Sequence, residues 1–270
     1  VFSYRIEKQL QILKNIQFYG KFGGAVGNLN AHYLAYPDIS WEGHLEEFLK
    51  NDLGLVREKY TTQIDNYENL AVVFDCIRRI NTVLIDFDRD IWQYISMEYL
   101  SQSFDDNEVG SSTMPQKINP INFENSEGNL MVANALLDFM SNKLPVSRLQ
   151  RDLTDSTVLR NVGSVFGYTE IAYQNFLIGF SKVKPNILVI NRDLNNNISI
   201  LTEGIQIILR REGIEDSYEK VKEMCRGKPH ITYDDFYNFI DNLDDLSLNA
   251  KRILKEITPE TYIGNAKIVD

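Results

Sequence analysis

NLAVVFDCIRRINTVLIDFDRDIWQY, from Asn69 to Tyr94, carries the clearest hydrophobic periodicity in the chain. Apolar side chains recur there in alternating steps of three and four, the spacing of one face of an α-helix. These side chains are Leu70, Val73, Ile77, Ile80, Leu84, Phe87, Ile91 and Tyr94. A helix of this length cannot bury its apolar seam inside a small globule, so it needs neighbouring helices in a bundle. Those neighbours could come from the same chain or from other subunits. We interpret the charged run Asp86 to Asp90 as a face that is solvated or forms salt bridges between subunits.

Helical patterns continue on both sides of this stretch. Further helices are predicted over about 2–19, 41–53, 120–144 and 156–182. The segment Lys21 to Pro37 contains three glycines and is predicted to be a loop. Gly163 and Gly167 are expected to allow close packing of the last long helix. The sequence therefore predicts an all-α protein built on a long-helix bundle.

The pattern changes to shorter helices after Lys182. Asn191, Asp216, Thr232 and Ser247 each stand where a helix would begin, and the helix capped by Asn191 is expected to end before Gly213. We therefore expect a central helical-bundle domain over 1–182 and a small C-terminal helical domain over 183–270. With 270 residues, of which 43% are hydrophobic, the chain can bury a large core. It begins at Val1 inside a helical pattern, and we expect it to be a piece of a longer polypeptide.

Composition excludes some classes of function. The formal net charge is −10 and no long basic run is present, which argues against a nucleic-acid or anionic-membrane binder. No apolar run is long enough for a membrane span. Cys76 and Cys225 are far apart and lack metal-ligand spacing, so we expect reduced thiols and a cytoplasmic location. His32 has no partner at metal or catalytic spacing and is expected to be structural.

GSSTMPQKINP, Gly110 to Pro120, is predicted to be a mobile polar loop that ends at a helix start. Asn119 is predicted to be the N-cap of that helix, with Pro120 in its first turn. Helix N–H groups and the Lys117 ammonium could bind a carboxylate there, and a loop serine could then exchange a proton with the bound acid. From the residues alone, an ordinary capped loop is the simpler interpretation.

Cationic and hydroxyl side chains also gather between residues 147 and 160. Ser156 and Arg160 are four apart, which places them on one face of a helix, and Arg148 and Arg151 precede them. With a helix start, such groups could hold a phosphate. Equally, the arginines could pair with Asp152 and Asp155 at the surface, and spacing does not decide between the two interpretations.

These motifs resemble a known family. The loop matches the fumarase/aspartase superfamily signature, close to GSSxMPxKxNP, at every fixed position. SRLQRDLTDSTVLRN, 147–161, resembles the segment with which bacterial-type adenylosuccinate lyases bind the nucleotide part of their substrate. The similarity extends through GAVGNLNAH, YTTQI, LIDFDRDIW, NPINFENSEGNL and YIGNA, and thus over nearly the whole chain. We therefore identify the sequence as similar to the adenylosuccinate lyase family.

The resemblance implies roles for individual residues. Ser111 matches the general base, Lys117 and Asn119 match groups that hold the succinyl carboxylate, and Glu124 matches the carboxylate that orients a catalytic histidine. At the start of its helix, Glu124 would also be favoured by the helix dipole alone. The implied substrate-binding set is Gln63, Ser112, Lys117, Ile118, Asn119, Asn125, Arg151, Ser156, Thr157, Val158, Leu159 and Arg160.

The resemblance also implies a reaction and an assembly. The family releases fumarate from adenylosuccinate by β-elimination, leaving AMP, and acts likewise on a succinylated aminoimidazole carboxamide ribonucleotide. It needs no cofactor or metal, and it works as a homotetramer whose active sites are each shared by three subunits. The family's general acid is a histidine in a THGQPA-like segment, which this sequence lacks. The chain alone is therefore expected to be inactive.

Two other interpretations remain open. Argininosuccinate lyases often have the MPQK found here around Gln116, and they would have no nucleotide-phosphate site. Alternatively, the helical bundle could serve as a non-enzymatic structural or assembly protein, as the missing histidine would allow. Competition by AMP would distinguish an adenylosuccinate lyase from an argininosuccinate lyase. Complementation with the missing histidine segment would distinguish an enzyme from a structural protein.

Overall fold

A computed structural model describes residues 1–103, 119–149, 151–228 and 230–266. Over these ranges the chain is predominantly helical and its strands are two or three residues long, which confirms the all-α prediction. The chain divides into two compact units, Val1–Lys184 and Pro185–Asp270. The expected domain boundary after residue 182 stays a prediction.

The first unit begins with short elements. They are α1 (Phe2–Lys14), β1 (Tyr19–Gly20), α2 (Asn30–Ala35), α3 (Trp41–Leu53) and β2 (Val56–Arg57). β1 and β2 pair in parallel, with Tyr19 opposite Val56. Helix α3 has the predicted bounds, whereas α1 ends earlier than expected. The segment 21–37 is not entirely loop, because it contains α2.

Long helices follow in the same unit. They are α4 (Glu68–Ser96), β3 (Leu100–Gln102), α5 (Ile121–Lys143), α6 (Thr154–Leu159), α7 (Val162–Lys182) and β4 (Val183–Pro185). Helix α5 packs against α4 and α7, and α1 packs on α4. One core cluster consists of Phe74, Ile77, Ala133, Leu137, Met140, Leu144, Val158 and Val165. The predicted seam of α4 is thus partly covered within the chain, as a bundle requires.

Several local predictions were wrong. The helix expected over 156–182 is two helices, because the chain breaks at Arg160 and Asn161 between α6 and α7. The N-cap of α5 is Pro120 and not Asn119. Close approach on α7 occurs at Gly179, where an added Cβ would lie 3.0 Å from Asn122 and the Phe123 ring, whereas Gly163 and Gly167 face open space within the described structure.

The second unit has its own core of short helices. They are α8 (Ile187–Asn195), a 3₁₀ turn (Ile198–Leu201), α9 (Thr202–Arg211), α10 (Ser217–Cys225), α11 (Tyr233–Asp241) and α12 (Leu248–Glu256). Asp216 stands at the N-cap of α10, and Thr232 caps α11 through a reciprocal capping box with Asp235. Ser247 caps α12 by accepting the Ala250 N–H. Three of the four helix starts predicted from the sequence are therefore confirmed. The fourth was wrong, because α8 begins at Ile187 after its N-cap Asn186 and Asn191 lies inside it.

No helix in the described ranges is both long enough and apolar enough to cross a bilayer.

Candidate functional site

Glu124 lies in the first turn of α5 and is exposed. Its Oε1 accepts a hydrogen bond of 3.0 Å from Trp92 Nε1 on α4. One turn further along α5, Glu127 accepts a bond of 2.7 Å from Arg89 Nε. These four side chains line an open groove of about 500 Å³ together with Gln93 and Ser96. One oxygen of the Glu124 carboxylate is fixed by the indole N–H of Trp92. The other oxygen can accept a hydrogen bond from a group that enters the groove.

Asp88 precedes Arg89 of this groove in sequence, and its burial overturns the interpretation of 86–90 as a wholly charged outer face. The side chain is only 1% exposed, and it follows Leu84 by four residues, which places it in the seam of α4. Its carboxylate oxygens and the buried Ser126 hydroxyl have no hydrogen-bond partner among the described residues. Burial raises the pKa of Asp88 to about 7; the charge of Glu127 adds to the rise and the nearby Ser126 hydroxyl opposes it.

The remaining members of the run from 86 to 90 are less buried. Asp86 forms an ion pair with Arg5 on α1, and Arg89 forms the pair with Glu127 described above. The run therefore contains one buried acid between pairs that link α4 to its neighbours within the chain.

Gln63 and Arg151 lie in a second place within the first unit. Both line a groove of about 590 Å³ with Val26 and Leu149, and we call this the Gln63 groove. Gln63 is exposed and Arg151 is half-buried. Three segments that are distant in sequence thus meet at one surface, and they include two of the residues predicted to bind substrate.

Gly27 explains how the first of these segments reaches the second. Its φ is +86°, and an added Cβ would lie 2.2 Å from the carbonyl oxygen of Thr61. Only glycine allows both this conformation and this approach. The GAVGN segment therefore packs directly against the YTTQI segment, next to Gln63.

The predicted pairing of the arginines with neighbouring aspartates is only partly present. Arg148 lies 4.0 Å from Asp152, at the limit of an ion pair, and is largely exposed. Arg151 Nε donates to the Asp152 backbone carbonyl at 3.5 Å. No carboxylate in the described part of the chain pairs with Arg151 or Arg160 through a salt bridge, so their guanidinium groups are available for an anion.

Asp152 and Asp155 have other partners. Thr154 donates to Asp152 Oδ1 from its backbone N–H at 2.9 Å and from its hydroxyl, and these bonds lower the pKa of Asp152 to about 2. Asp155 is buried and accepts a bond of 3.0 Å from the hydroxyl of Tyr67. Neither aspartate forms a salt bridge with Arg151. The Arg151 guanidinium therefore keeps its charge available to bind a phosphate.

The other predicted residues of α6 differ in accessibility. Ser156 donates its hydroxyl hydrogen to the Leu153 carbonyl at 2.8 Å, and Thr157 and Arg160 are exposed. Val158 belongs to the core cluster and Leu159 packs against it. Arg160 is the C-cap of α6 and has helical backbone angles of φ −60° and ψ −20°, so Ser156 and Arg160 keep the spacing of one helical face. Whether these residues bind substrate stays a prediction.

The predicted site near Pro120 is described only in part. Ser111, Ser112, Lys117 and Ile118 lie outside the described residues, as does Gln116. Asn119 is exposed immediately before α5. Asn125 is exposed, and its Oδ1 accepts a bond of 2.9 Å from the Asn129 amide. Asn119, Glu124 and Asn125 therefore share the N-terminal end of α5.

The structure also describes His32 and the residues that could bind a metal ion. His32 lies between Phe22 and Trp41, with ring centroids 6.4 and 5.0 Å away, so its place is that of a packed structural side chain. No group of three or more His, Cys, Asp or Glu in the described ranges is arranged to hold a metal ion.

Sequence reasoning missed four residues that shape these sites: Trp92, Asp88, Tyr67 and Asp155. A signal existed for Asp88, because its spacing from Leu84 and Ile91 is that of the apolar seam. No local pattern predicts the bond between Tyr67 and Asp155, which are 88 residues apart in the chain.

The comparisons with known proteins agree with this architecture. A crystal structure of 3-carboxy-cis,cis-muconate lactonizing enzyme from Pseudomonas putida superimposes with a TM-score of 0.69 at 20% identity. The superposition covers 96% of this chain and 58% of the Pseudomonas putida chain. At 20% identity, the similarity concerns the fold alone. The lyase family model matches residues 2–136. The chain belongs to the lyase family of the fumarase/aspartase superfamily, as its helical bundle and signature residues predicted.

More specific matches place it within that family. The adenylosuccinate lyase C-terminal model matches residues 147–263, which include the segment 147–161. Adenylosuccinate lyase of Buchnera aphidicola is 49% identical over 270 residues, covering 100% of this chain and 59% of its own length. Those of Escherichia coli and Dictyostelium discoideum are 50% identical over 264 and 268 residues, each covering 98% of this chain. The particular family is thus adenylosuccinate lyase, and the chain spans somewhat under 60% of the length of these relatives.

Proposed function

We propose that this chain supplies substrate-binding and catalytic groups of an adenylosuccinate lyase, a carbon–nitrogen lyase. The reaction breaks the C–N bond of adenylosuccinate and forms the double bond of fumarate, leaving AMP. The same site would release fumarate from the succinylated aminoimidazole carboxamide ribonucleotide. The observation that carries the proposal is the meeting of Gln63 and Arg151 at one groove, with no carboxylate among the described residues paired to the Arg151 guanidinium.

Arg151, Ser156 and Arg160 would bind the phosphate end of the nucleotide in this proposal. A guanidinium presents several N–H donors in a planar fork that matches the oxygens of a phosphate. Gln63 offers both a donor and an acceptor and would orient the substrate across the same groove. Thr157, Val158 and Leu159 would contribute through the same segment, with the buried side chain of Val158 leaving only its backbone for contact.

Elimination requires groups that act at the succinyl end. Ser111 would remove the proton that is α to one carboxylate and β to the leaving nitrogen. Lys117, Asn119, Ser112 and Ile118 would hold that carboxylate, whose negative charge grows as the proton leaves. A serine hydroxyl is a weak base in water, so nearby cations and dipoles must stabilise its ionised form.

Protonation of the leaving nitrogen completes the reaction. Glu124, held by Trp92, would orient the histidine that acts as general acid, and Asn125 beside it would help to orient the substrate. None of the three histidines in the printed sequence stands in a THGQPA-like segment. We therefore infer that these 270 residues alone do not turn over.

The assembly proposed is a homotetramer in which three subunits contribute to each active site. Large apolar side chains remain exposed on the outer faces of two helices of the bundle. On α5 these are Met131, Val132 and Phe139, and on α7 they are Ile171, Leu177, Ile178 and Phe180. Exposed apolar side chains in this number favour burial against other copies of the bundle.

A cytoplasmic location and proton-transfer chemistry without a cofactor or metal complete the proposal. Both cysteines are free thiols, with Cys76 buried on α4 and Cys225 half-buried on α10, as expected in a reducing compartment.

Fumarate release by the intact protein encoded by the gene tests the function. We expect turnover of adenylosuccinate and none of argininosuccinate. Replacement of Ser111 by alanine should lower kcat by at least about a thousandfold while AMP still binds. Turnover of argininosuccinate in its place would support the rival lyase. Absence of any fumarate release from either substrate, by the intact protein in its native assembly, would support a structural role.

A further inference from the structure

Tyr67 connects the two segments that supply the Gln63 groove. It stands at the N-cap of α4, four residues after Gln63, and its hydroxyl donates a bond of 3.0 Å to Oδ2 of Asp155 on α6. Asp155 is four residues after Arg151 and one residue before Ser156. A single hydrogen bond therefore ties the segment carrying Gln63 to the segment carrying the phosphate-binding groups.

The backbone around this bond is held in an unusual conformation. Tyr67 has φ +65°, a left-handed value that a side chain of this size rarely adopts. Its N–H donates a bond of 2.8 Å to Oδ2 of Asp65, which closes the turn before α4. Leu149, which lines the Gln63 groove on the other side, also has a left-handed φ of +53°. Such residues persist only where the surrounding contacts hold them, and they concentrate at functional sites.

The two segments also meet around a smaller cavity of about 180 Å³. One wall is formed by residues 62 and 64–67, and the other by residues 144, 145, 147 and 149. Asp155 is only 7% exposed, and its second oxygen, Oδ1, has no hydrogen-bond partner among the described residues. The Tyr67 hydroxyl is thus the one described donor to a buried carboxylate, and loss of that donor would leave the carboxylate without any.

The titration of Tyr67 agrees with a permanent donor. Burial raises its pKa to about 12, and the hydrogen bond to Asp155 and the charges of Asp155 and Asp65 add to the rise. The positive charge of Arg151 opposes the rise. The hydroxyl therefore keeps its proton at every pH at which an enzyme of this kind would be assayed.

We infer that Tyr67 and Asp155 are positioning residues that fix the Gln63 segment against Arg151 and Ser156, and so set the geometry with which the nucleotide end of the substrate is bound. This inference rests on the proposed function. Neither residue needs to contact substrate. Since the pair acts on binding groups that are remote from the reacting carbon, its loss should weaken binding of the nucleotide more than it slows the chemical step.

Substitution Tyr67→Phe removes the hydroxyl and retains the ring. In the intact protein we expect KM for adenylosuccinate and the inhibition constant of AMP to rise about tenfold. The inhibition constant of fumarate should stay unchanged, and kcat should change less than about threefold. Tyr60→Phe is the matched control, because the Tyr60 side chain is 77% exposed and lies in the neighbouring YTTQI segment.

Two substitutions of Asp155 test the bond from its other side. Asp155→Asn keeps an oxygen that can accept from Tyr67, so AMP inhibition should stay within about threefold of wild type. Asp155→Ala removes the acceptor and should weaken AMP at least as much as Tyr67→Phe does. Asparagine also fills the space of Asp155, so Tyr67→Phe, which keeps the ring and loses only the hydroxyl, separates the hydrogen bond from packing. Thermal unfolding of each variant reports any loss of folded protein.

Distinct outcomes separate this inference from the proposed function. A wild-type protein that releases fumarate from adenylosuccinate, with a Tyr67→Phe variant whose AMP inhibition is unchanged, would overturn the inference alone. Equal weakening of AMP and fumarate, or a lower melting temperature with unchanged AMP inhibition, would overturn it as well. A wild-type protein that neither releases fumarate nor binds AMP would overturn the proposed function and this inference with it.

Discussion

Trp92 Nε1 lies 3.0 Å from Glu124 Oε1 and donates a hydrogen bond to it, which ties the C-terminal part of α4 to the first turn of α5. The bond fixes one oxygen of a carboxylate whose other oxygen remains available at an open groove. A carboxylate that orients a catalytic group must itself be held in place. We therefore expect Trp92 to position Glu124.

Replacing Trp92 by phenylalanine should lower kcat about tenfold and leave KM for adenylosuccinate nearly unchanged, because a hydrogen bond to a charged group is lost away from the nucleotide. Steady-state kinetics of the intact protein measures both constants. Trp41→Phe is the control, since Trp41 Nε1 donates only to the Tyr36 carbonyl on the surface. Equal kcat in the Trp92 and Trp41 variants would contradict the role of Trp92.

Gly27 offers a second prediction, this time on stability. Gly27→Ala should destabilise the folded protein by about 2 kcal/mol or more, because a left-handed φ and a clash with the Thr61 carbonyl combine. Gly54→Ala is a matched control: its φ is +67°, but nothing described lies within 4 Å of an added Cβ. We expect that control to cost about 1 kcal/mol. Denaturant unfolding measures both, and equal losses would refute the close contact at Thr61.

Asp88 predicts a pH dependence of stability. Its pKa is about 7 in the folded protein, whereas an unfolded aspartate has a pKa of about 3.9. Below pH 4 both states hold the proton, so the group has no net effect. As the pH rises from 4 to 7 the unfolded state loses its proton first, and the free energy of unfolding falls. Above pH 7 the loss is complete and constant.

Asparagine at position 88 keeps the shape and cannot ionise. Asp88→Asn should therefore match wild type near pH 4 and exceed its stability at pH 8 by as much as about 4 kcal/mol. Asp86→Asn is the control, since Asp86 is half-exposed and its surface ion pair with Arg5 contributes little. Urea unfolding at the two pH values measures the difference. A variant less stable than wild type at pH 8 would show that the charged form is stabilised.

The sequence predicted the bundle well, because periodic patterns such as that of α4 report directly on which face is buried. Capped helix starts at Thr232 and Ser247 were also predictable, since capping needs only residues within one turn. The break between α6 and α7 was not predicted, because residues 156–182 contain no proline to mark it.

The sequence predicted which residues belong to the candidate site, but it did not predict the contacts that hold them in place. Motifs identified Gln63, Glu124 and Arg151, but the contacts that hold them are long-range: Trp92 to Glu124 and Tyr67 to Asp155. Such pairs depend on how helices pack, which no local pattern encodes. Asp88 was misread because charge usually indicates exposure, whereas its position in the seam indicated burial.

Inhibition of fumarate release by AMP, measured on the intact protein and on its Arg151→Gln variant, tests the central claim most directly. We predict that AMP competes with adenylosuccinate and that its inhibition constant rises at least about tenfold in the variant, because a charged donor to the phosphate is lost. Inhibition by fumarate should not change. An AMP inhibition constant that is the same in both proteins would contradict the assignment of residues 147–161 to the nucleotide.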